Sequence, residues 1–309
     1  MKKALLITLL LATTLSTFSE QLYIKTFGDS KHPPILFLHG GPGYNCANFE
    51  GTTAQQLADK KFFVIVYDRR GEGRSIDIPA KYTFEESFND INSIVEKYHL
   101  KKLNLIGHSF GGILATKYAE AFPANVNSII LVGAPIALQE SFRHIISKSK
   151  EIYQTKQDST NLKYIQLLTK MDTASIEYST YCFGHAMQNG FYTSKKSTEE
   201  SKALYVNLKA DSTLWKLATA MTYPAPRGFW TNEKYTTLDL TNNLLDLQKK
   251  KIKIFGLYGK EDGLYSEKQI NSLSGTIGGQ NIKYQDNCSH NVFIDQQKIF
   301  IESIQNWIK

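Results

Sequence analysis

The sequence is poor in the residues that build cross-linked or metal-dependent proteins. Its 309 residues include only three cysteines, Cys46, Cys182 and Cys288. Two of them could pair, but three cysteines cannot form a disulfide framework. No group of histidines and cysteines has the spacing of a metal site, so we expect no metal ligands and no cofactor.

Repeats and long apolar runs are also missing. The absence of heptads, internal repeats and low-complexity tracts excludes fibrous and solenoid architectures. The one extended apolar run, Ala4–Leu15, follows two lysines and is too short to span a bilayer. Small residues up to Ser19 complete the pattern of a secretory signal peptide.

We therefore predict a signal peptide over residues 1–19 and export to the periplasm or the extracellular space. The mature protein would then keep no stable membrane span. The alternative interpretation of the same run is an uncleaved anchor.

A dense basic patch is absent as well. The formal net charge of +7 is spread along the chain, and its one basic run, Lys249–Lys251, directly precedes an apolar segment. That run is best explained as a solvated loop before a buried strand, which argues against a nucleic-acid partner. We expect a small molecule or a short peptide as the partner, and the sequence does not indicate an oligomeric state.

Short apolar segments alternate with helical patterns along most of the chain. The predicted strands are Gln21–Phe27, Ile35–Leu38, Val64–Tyr67, Leu103–Ile106, Ile129–Val132, Ile252–Tyr258 and Ile282–Gln285. The predicted helices of this part are Asn48–Lys60, Phe84–Tyr98, Ile113–Ala121 and Gln296–Ile308. Continuously apolar strands between helices imply an α/β fold with a mostly parallel central sheet and helices on both faces.

The alternation stops between Ile136 and Tyr235, where the sequence is polar and helical in pattern. We interpret residues 136–235 as a helical cap, inserted into a core formed by residues 20–135 and 236–309. Ligands of open α/β sheets bind at the carboxyl edge of the strands. We expect the cap to lie over that edge and to shape the substrate pocket.

The segment Gly107–Gly111 reads Gly-His-Ser-Phe-Gly and stands between a predicted strand and a predicted helix. This context is typical of a nucleophilic serine on a sharp strand-to-helix turn. Glycines on both sides of Ser109 relieve the crowding of such a turn. We predict that Ser109 is a nucleophile; an ordinary glycine-serine turn is the alternative.

A serine nucleophile needs a base and an acid, which follow it in the chain order Ser, acid, His in this kind of fold. Asp262 stands at the carboxyl end of a predicted strand, with Glu261 as its competitor. His290 follows the last predicted strand. We therefore predict a catalytic triad of Ser109, Asp262 and His290.

Acyl transfer also needs hydrogen-bond donors for the developing oxyanion. The segment His39–Gly43, which reads His-Gly-Gly-Pro-Gly, follows the strand Ile35–Leu38. The expected donors are the backbone N–H groups of Gly41 and Phe110. The alternative is a glycine-proline turn without a catalytic role.

Several motifs together resemble the α/β-hydrolase superfamily and, within it, the proline iminopeptidase branch. They are His39–Gly43, Asp68–Ser75, Gly107–Gly112, Gly259–Asp262 and His290. The resemblance covers about Gln21–Pro135 and Leu238–Lys309. It implies an α/β-hydrolase fold with a helical cap, and removal of N-terminal residues, often proline, from short peptides through an acyl-enzyme.

Members of that branch hold the free amine of the substrate with acidic residues of the cap and nearby loops. The resemblance therefore implies a substrate role for cap carboxylates such as Glu177, with Glu199 and Glu200 as further candidates. Trp230 lies in an aromatic stretch that could line an acyl pocket. Solvated helix positions for the glutamates, and a structural lid connection for the stretch around Trp230, are the alternatives.

The chain differs from that branch at two points. It has no Trp-x-x-Trp-Glu run in the cap, and His108 stands where those peptidases usually have glycine. We predict an exported serine hydrolase, with aminopeptidase activity on short peptides as the first interpretation. A carboxylester hydrolase is the second, and a non-catalytic binding protein on the same fold is the third.

Overall fold

A computed structural model describes residues 21–308. The predicted signal peptide lies outside the described residues, so its cleavage and the export of the protein stay predictions. Within the described range, seven strands form one sheet in the order β1-β3-β2-β4-β5-β6-β7. They are β1 (Ile24–Phe27), β2 (Pro34–Leu38), β3 (Phe63–Tyr67), β4 (Leu103–His108), β5 (Val126–Val132), β6 (Lys253–Gly259) and β7 (Ile282–Gln285).

The sheet confirms the predicted mostly parallel architecture. β1 pairs antiparallel with β3, and each of the other neighbouring pairs is parallel. β4 is longer than predicted, since Gly107 pairs with Leu38 of β2 and His108 with Val132 of β5. The sheet therefore continues up to the residue before Ser109.

Helices cover both faces of the sheet. In the core they are α1 (Ala47–Phe49), α2 (Gln55–Asp59), α3 (Phe84–Lys97), α4 (Phe110–Ala121), α11 (Thr241–Lys249), α12 (Glu267–Ile277), α13 (Val292–Asp295) and α14 (Gln297–Trp307). Short 3-10 turns are Gly73–Ser75, Pro123–Asn125, Tyr235–Thr237 and Gly279–Asn281. None of the helices between residues 21 and 308 is long and apolar enough to cross a bilayer.

The predicted helix Asn48–Lys60 differs from the observed structure. It is split into α1, a π-helical turn Glu50–Ala54, and α2. In the wide turn the Thr52 hydroxyl donates to the carbonyl of Asn48, and the Thr53 hydroxyl donates to that of Phe293. Side-chain hydrogen bonds of this kind accompany departures from regular α-helical spacing, which apolar periodicity alone does not reveal.

The central strands are buried on both sides because their side chains alternate between two apolar clusters. In β2, Leu36 and Leu38 join the cluster under α3, α4, α11 and α12, whereas Ile35 and Phe37 join the cluster under α1, α2 and α14. A strand that is apolar at every position requires this two-sided cover. The continuous apolar runs of the sequence therefore have a direct structural cause.

Between β5 and β6 the chain forms the helical stretch that was predicted as a cap. Its helices are α5 (Leu138–Thr155), α6 (Ser159–Leu168), α7 (Ile176–Gln188), α8 (Glu199–Ala210), α9 (Ser212–Thr219) and α10 (Pro224–Glu233). An antiparallel bridge pairs Ala137 with Asp239, and the N–H of Leu240 donates to the carbonyl of Ile136 at 2.8 Å. The stretch thus leaves the core and returns to it at one place.

The start of α4 lies unusually close to the ends of two strands. A methyl group at Gly111 would overlap the carbonyl oxygen of Leu38, and one at Gly112 would overlap the Cβ of Ala134. These positions require glycine for space, because neither the backbone of β2 nor the chain after β5 can retreat without breaking sheet pairing.

We expect Gly112→Ala to lower the free energy of unfolding by about 1 to 3 kcal/mol, because the added methyl overpacks this contact. Gly275→Ala in α12 is the matched control, since a methyl there meets nothing within 4 Å. The control should stabilise the protein by about 0.5 to 1 kcal/mol through helix propensity. Urea denaturation of both variants tests this, and equal effects of the two substitutions would contradict the close approach.

Candidate active site

Ser109 occupies the sharp turn between β4 and α4. Its backbone has φ 52° and ψ −122°, a left-handed conformation that costs a non-glycine residue about 1 to 3 kcal/mol. The turn is fixed by the Ser109 N–H, which donates to the carbonyl of Val132, and by the Gly112 N–H, which donates to the carbonyl of Ser109 (both 2.9 Å). The half-buried side chain makes no hydrogen bond with any residue in the range 21–308.

His290 and Asp262 are hydrogen-bonded to each other. The Nδ1 of His290 lies 2.8 Å from Oδ2 of Asp262, and the side chains are only 6% and 1% exposed. The other oxygen of Asp262 accepts the N–H of Leu264 at 3.0 Å. Because the Asp262 carboxylate accepts a hydrogen bond from Nδ1–H, the Nε2 atom of His290 is left free to act as a base.

The sheet order explains why distant parts of the sequence meet here. Ser109 follows β4, Asp262 follows β6 and His290 follows β7, and parallel strands present their carboxyl ends at one edge. Gly133, directly after β5, lies between the loop of His290 and the turn of Ser109. A methyl on it would lie 3.2 Å from Nδ1 of His290, and its neighbour Val132 holds the N–H of Ser109.

Glu261, the competitor of Asp262, has a different role. Its carboxylate accepts the hydroxyl of Ser194 at 2.7 Å and the N–H of Lys195 at 2.5 Å. Burial raises the pKa of Glu261, but these hydrogen bonds outweigh burial and lower it overall. Glu261 therefore connects the loop after β6 to the chain after α7, and only Asp262 reaches His290.

The loop after β2 is held by a buried ion pair. Arg69 donates to the carbonyl of His39 at 2.6 Å and to that of Gly40 at 2.8 Å. The same guanidinium forms two hydrogen bonds with Glu72, at 3.0 and 2.9 Å, and Glu72 accepts the N–H of Gly43 at 2.9 Å. The two side chains are 2% and 0% exposed. Both ends of the glycine loop are thus fixed by one pair of charges.

The two predicted oxyanion donors lie on either side of the nucleophile. Neither the N–H of Gly41 nor that of Phe110 donates a hydrogen bond to another described residue. Phe110 is the first residue of α4, where backbone N–H groups have no helical partner. A methyl on Gly40 would lie 3.1 Å from Cβ of Ser109, so the glycine loop lies directly against the serine turn.

His108 supports the loop that carries His290. Its Nε2 lies 3.2 Å from the backbone carbonyl oxygen of His290, and the two rings are 4.9 Å apart. Burial, together with the neighbouring His290, holds the pKa of His108 well below its usual range. A neutral His108 can donate from Nε2 to that carbonyl, so the residue that departs from the peptidase pattern makes a contact within the site.

None of the cap residues proposed from the sequence forms a hydrogen bond or ion pair with Ser109, Asp262 or His290 within residues 21–308. Glu177 is exposed in the first turn of α7 and forms no ion pair or hydrogen bond with a described residue. Glu199 pairs with Lys202 in solvent, and Glu200 is exposed. The indole N–H of Trp230 donates to the carbonyl of Ala174 at 2.9 Å, which ties α10 to the chain before α7.

Other aromatic residues of the cap contact the site instead. Phe229 packs against the ring of Phe110 at 4.9 Å, and Tyr235 contacts the same ring at 5.3 Å. The ring of Tyr192 stands perpendicular to that of His290, 5.1 Å away. Phe229 belongs to the aromatic stretch around Trp230 that the sequence indicates as a candidate pocket lining. Nothing in the sequence singled out the two tyrosines.

The cysteines take no part in this arrangement. Cys46, Cys182 and Cys288 are buried and unpaired. Burial raises the pKa of each thiol, which makes the thiolate scarce at neutral pH. Within residues 21–308 there is no group of three or more histidine, cysteine or acidic side chains that could hold a metal ion.

Asp295 of α13 also fixes the loop that carries His290. Its carboxylate accepts the N–H of Ser289 at 2.8 Å and the hydroxyl of Ser201 in α8 at 3.4 Å. Burial raises the pKa of Asp295 to about 6, despite these hydrogen bonds. The position of His290 is therefore coupled to an acid that titrates near neutral pH.

Comparison with known proteins gives a consistent assignment. Residues 33–296 match the protein family described as the alpha/beta hydrolase fold. The proline iminopeptidase of Lactobacillus acidophilus is 25% identical over 285 residues, which cover 90% of this chain and 91% of that enzyme. The proline iminopeptidase of Lactobacillus helveticus is 36% identical over 117 residues, but this match spans only 36% of this chain and 39% of that enzyme.

The fold has close counterparts among solved structures. The crystal structure of a proline iminopeptidase-related protein from Thermus thermophilus superimposes with a TM-score of 0.64 at 21% identity. The superposition covers 93% of this chain and 92% of that one. At this identity the similarity concerns the fold.

Arg69→Ala should lower the free energy of unfolding by about 3 to 5 kcal/mol, because it leaves the buried carboxylate of Glu72 without its partner. Lys202→Ala is the matched control. This substitution breaks the ion pair of Lys202 with Glu199, which has the same three-residue spacing. The two side chains of that pair are 57% and 90% exposed. The control should change stability by about 0.5 kcal/mol or less. Similar losses in urea denaturation for the two variants would contradict a structural role of the buried pair.

Asp295→Asn should change the pH dependence of stability. A raised native pKa means that the folded state retains a proton that the unfolded state releases above about pH 4. The stabilisation from this group is thus complete below pH 4 and is lost as the pH rises through about 6. The quantity to compare is the free energy of unfolding of wild type minus that of Asp295→Asn. We expect this difference to be about 2 kcal/mol larger at pH 4 than at pH 7.5. Parallel pH profiles in thermal denaturation would refute this.

Proposed function

The chain belongs to the α/β-hydrolase family and is proline iminopeptidase-like, and on that premise we propose that it is a serine hydrolase that works through an acyl-enzyme. The observation that carries the proposal is the hydrogen bond of 2.8 Å between His290 and Asp262, at the same sheet edge as the strained turn of Ser109. A histidine oriented by a carboxylate, at the sheet edge that also carries a serine on a strained turn, supports acyl transfer by that serine.

In the proposed mechanism, Oγ of Ser109 attacks a substrate carbonyl and Nε2 of His290 takes its proton. The negative oxygen that forms is stabilised by hydrogen bonds from the N–H groups of Gly41 and Phe110. The imidazolium, held by Asp262, then protonates the leaving group. Water, activated by the same histidine, hydrolyses the ester on Ser109 and restores the enzyme.

Two substrate classes fit this chemistry. Short peptides with a free N-terminus are the first candidate, supported by the proline iminopeptidases among its relatives. Carboxylic esters are the second. They are favoured by the exposed positions of Glu177, Glu199 and Glu200, since a buried substrate ammonium needs a carboxylate beside it.

A fluorophosphonate probe tests the proposal, because it modifies only an activated serine. We expect stoichiometric labelling of the wild-type protein and none of Ser109→Ala. Ser93→Ala is the control: the Ser93 hydroxyl donates to a helix carbonyl of α3, and labelling should persist. A folded wild type that is not labelled, or labelling that survives Ser109→Ala, would favour a non-catalytic binding protein instead.

Asp262→Asn should lower kcat by about 10⁴-fold, because the amide cannot hold His290 in the tautomer that leaves Nε2 basic. Glu261→Gln, which alters the neighbouring carboxylate, should retain most of the activity. Steady-state kinetics with any ester or arylamide that the wild type hydrolyses provides the measurement. A greater loss for Glu261→Gln would reverse the assignment of the acid.

A further inference from the structure

Three tyrosines from separate parts of the chain lie near the candidate site. Tyr192, after α7, places its ring 5.1 Å from that of His290. Tyr235, in the turn after α10, places its ring 5.3 Å from that of Phe110. Tyr44 follows the glycine loop and is close enough, like Tyr235, for its phenol to raise the pKa of Tyr192. The rings of Tyr192 and Tyr235 therefore contact residues of the candidate site, and half-buried Tyr44 follows the glycine loop.

The hydroxyls of these tyrosines have no partner within residues 21–308. Other buried tyrosines near the site differ: Tyr258 donates to the carbonyl of Ala134 at 2.8 Å, and Tyr265 to that of Gly133 at 2.7 Å. The side chain of Tyr235 is nevertheless buried, with 5% of the residue exposed. Tyr192 is half-buried and the hydroxyl of Tyr235 is not sealed from solvent, so both hydroxyls can receive a hydrogen-bond partner from a ligand.

The charges near these phenols are already paired. Asp262 is the charged group that acts on Tyr192, and Glu72 is the one that acts on Tyr235. Asp262 is bound to His290, and Glu72 is bound to Arg69 and to the N–H of Gly43. An ammonium group in this region would lose its hydration without gaining a free carboxylate. Cation–π contacts with the rings compensate only part of that loss.

Burial raises the pKa of Tyr44, Tyr192 and Tyr235, so all three phenols are neutral donors at ordinary pH. Neutral donors recognise oxygen acceptors such as carbonyl, ether or hydroxyl groups. An uncharged substrate group that carries such an oxygen would satisfy them without the desolvation of a charge.

We propose that the hydroxyls of Tyr192 and Tyr235 form a binding site for an uncharged, oxygen-bearing group next to the scissile carbonyl. The inference rests on the proposed acyl-enzyme function and deepens it. It selects carboxylic esters and N-acylated amides over peptides with a free N-terminus, and it assigns specificity to residues outside the triad.

Two substrate comparisons test the inference at pH 7, where an α-amino group with a pKa near 8 is mostly protonated. The first compares alanine 4-nitroanilide with its N-acetylated form, and we expect kcat/KM to be at least about tenfold higher for the acetylated one. The second uses two pairs of 4-nitrophenyl esters of equal chain length. It compares the methoxyacetate with the butyrate, and the 3-methoxypropionate with the valerate. Each rate is divided by the rate of hydroxide-catalysed hydrolysis, which corrects for intrinsic reactivity.

The variants Tyr192→Phe and Tyr235→Phe keep the ring contacts and remove the hydroxyls. Each should reduce the preference for the oxygen-bearing ester over its alkyl counterpart by about fivefold, the effect of one lost hydrogen bond. Tyr98→Phe is the matched control. Tyr98 is half-buried at the end of α3, and its ring lies 5.6 Å from that of Phe63. Phe63 is the first residue of β3, so Tyr98 lies at the edge of the sheet opposite to the candidate site. The control should show the wild-type preference.

The outcomes separate this inference from the proposed function. Labelling of Ser109 by the fluorophosphonate, with faster hydrolysis of the free-amine anilide, would overturn the inference and leave the serine hydrolase standing. The same holds if Tyr192→Phe and Tyr235→Phe both keep the wild-type ester preference. A wild type that is not labelled and hydrolyses none of the substrates would overturn both.

Discussion

The close approach of α4 to the ends of β2 and β5 is the constraint around which the site is arranged. It exists only because Gly111 and Gly112 have no side chains to separate the helix from Leu38 and Ala134. Ser109 directly precedes this helix and has a strained backbone, and the glycine loop lies against it at Gly40. Strain of this kind persists because sheet pairing on both sides fixes the chain before and after the turn.

Buried charges then fix the loops around that turn. The pair Arg69–Glu72 holds the glycine loop, Asp262 holds His290, and Asp295 holds the neighbouring Ser289. Each of these three carboxylates is bound by specific donors, so its position is fixed. Fixed dipoles and charges of this kind stabilise a developing oxyanion without reorganisation at the moment of reaction. Much of the machinery proposed for the reaction therefore also serves as structural support.

The sequence predicted the sheet and the placement of Ser109, Asp262 and His290 because these depend on local signals and chain order. It could not predict which cap side chains face the triad, since that depends on helix rotation. Trp230 and Phe229 are neighbours, yet successive helical residues point about 100° apart, and only Phe229 reaches Phe110. In the same way, the exposed side of α7 carries Glu177, a fact that composition alone does not contain.

Specificity and catalysis are physically connected through the cap. The N–H of Thr222 donates to the carbonyl of Gly43 at 2.7 Å, and Ser289, beside His290, donates its hydroxyl to the carbonyl of Phe191 at 3.2 Å. Glu261 binds the chain that follows Tyr192. Each catalytic loop therefore rests on a cap segment that also supplies a pocket residue. We therefore expect a change in these cap segments to displace the loops that carry Gly43 and His290, which couples the proposed substrate choice to the proposed catalytic geometry.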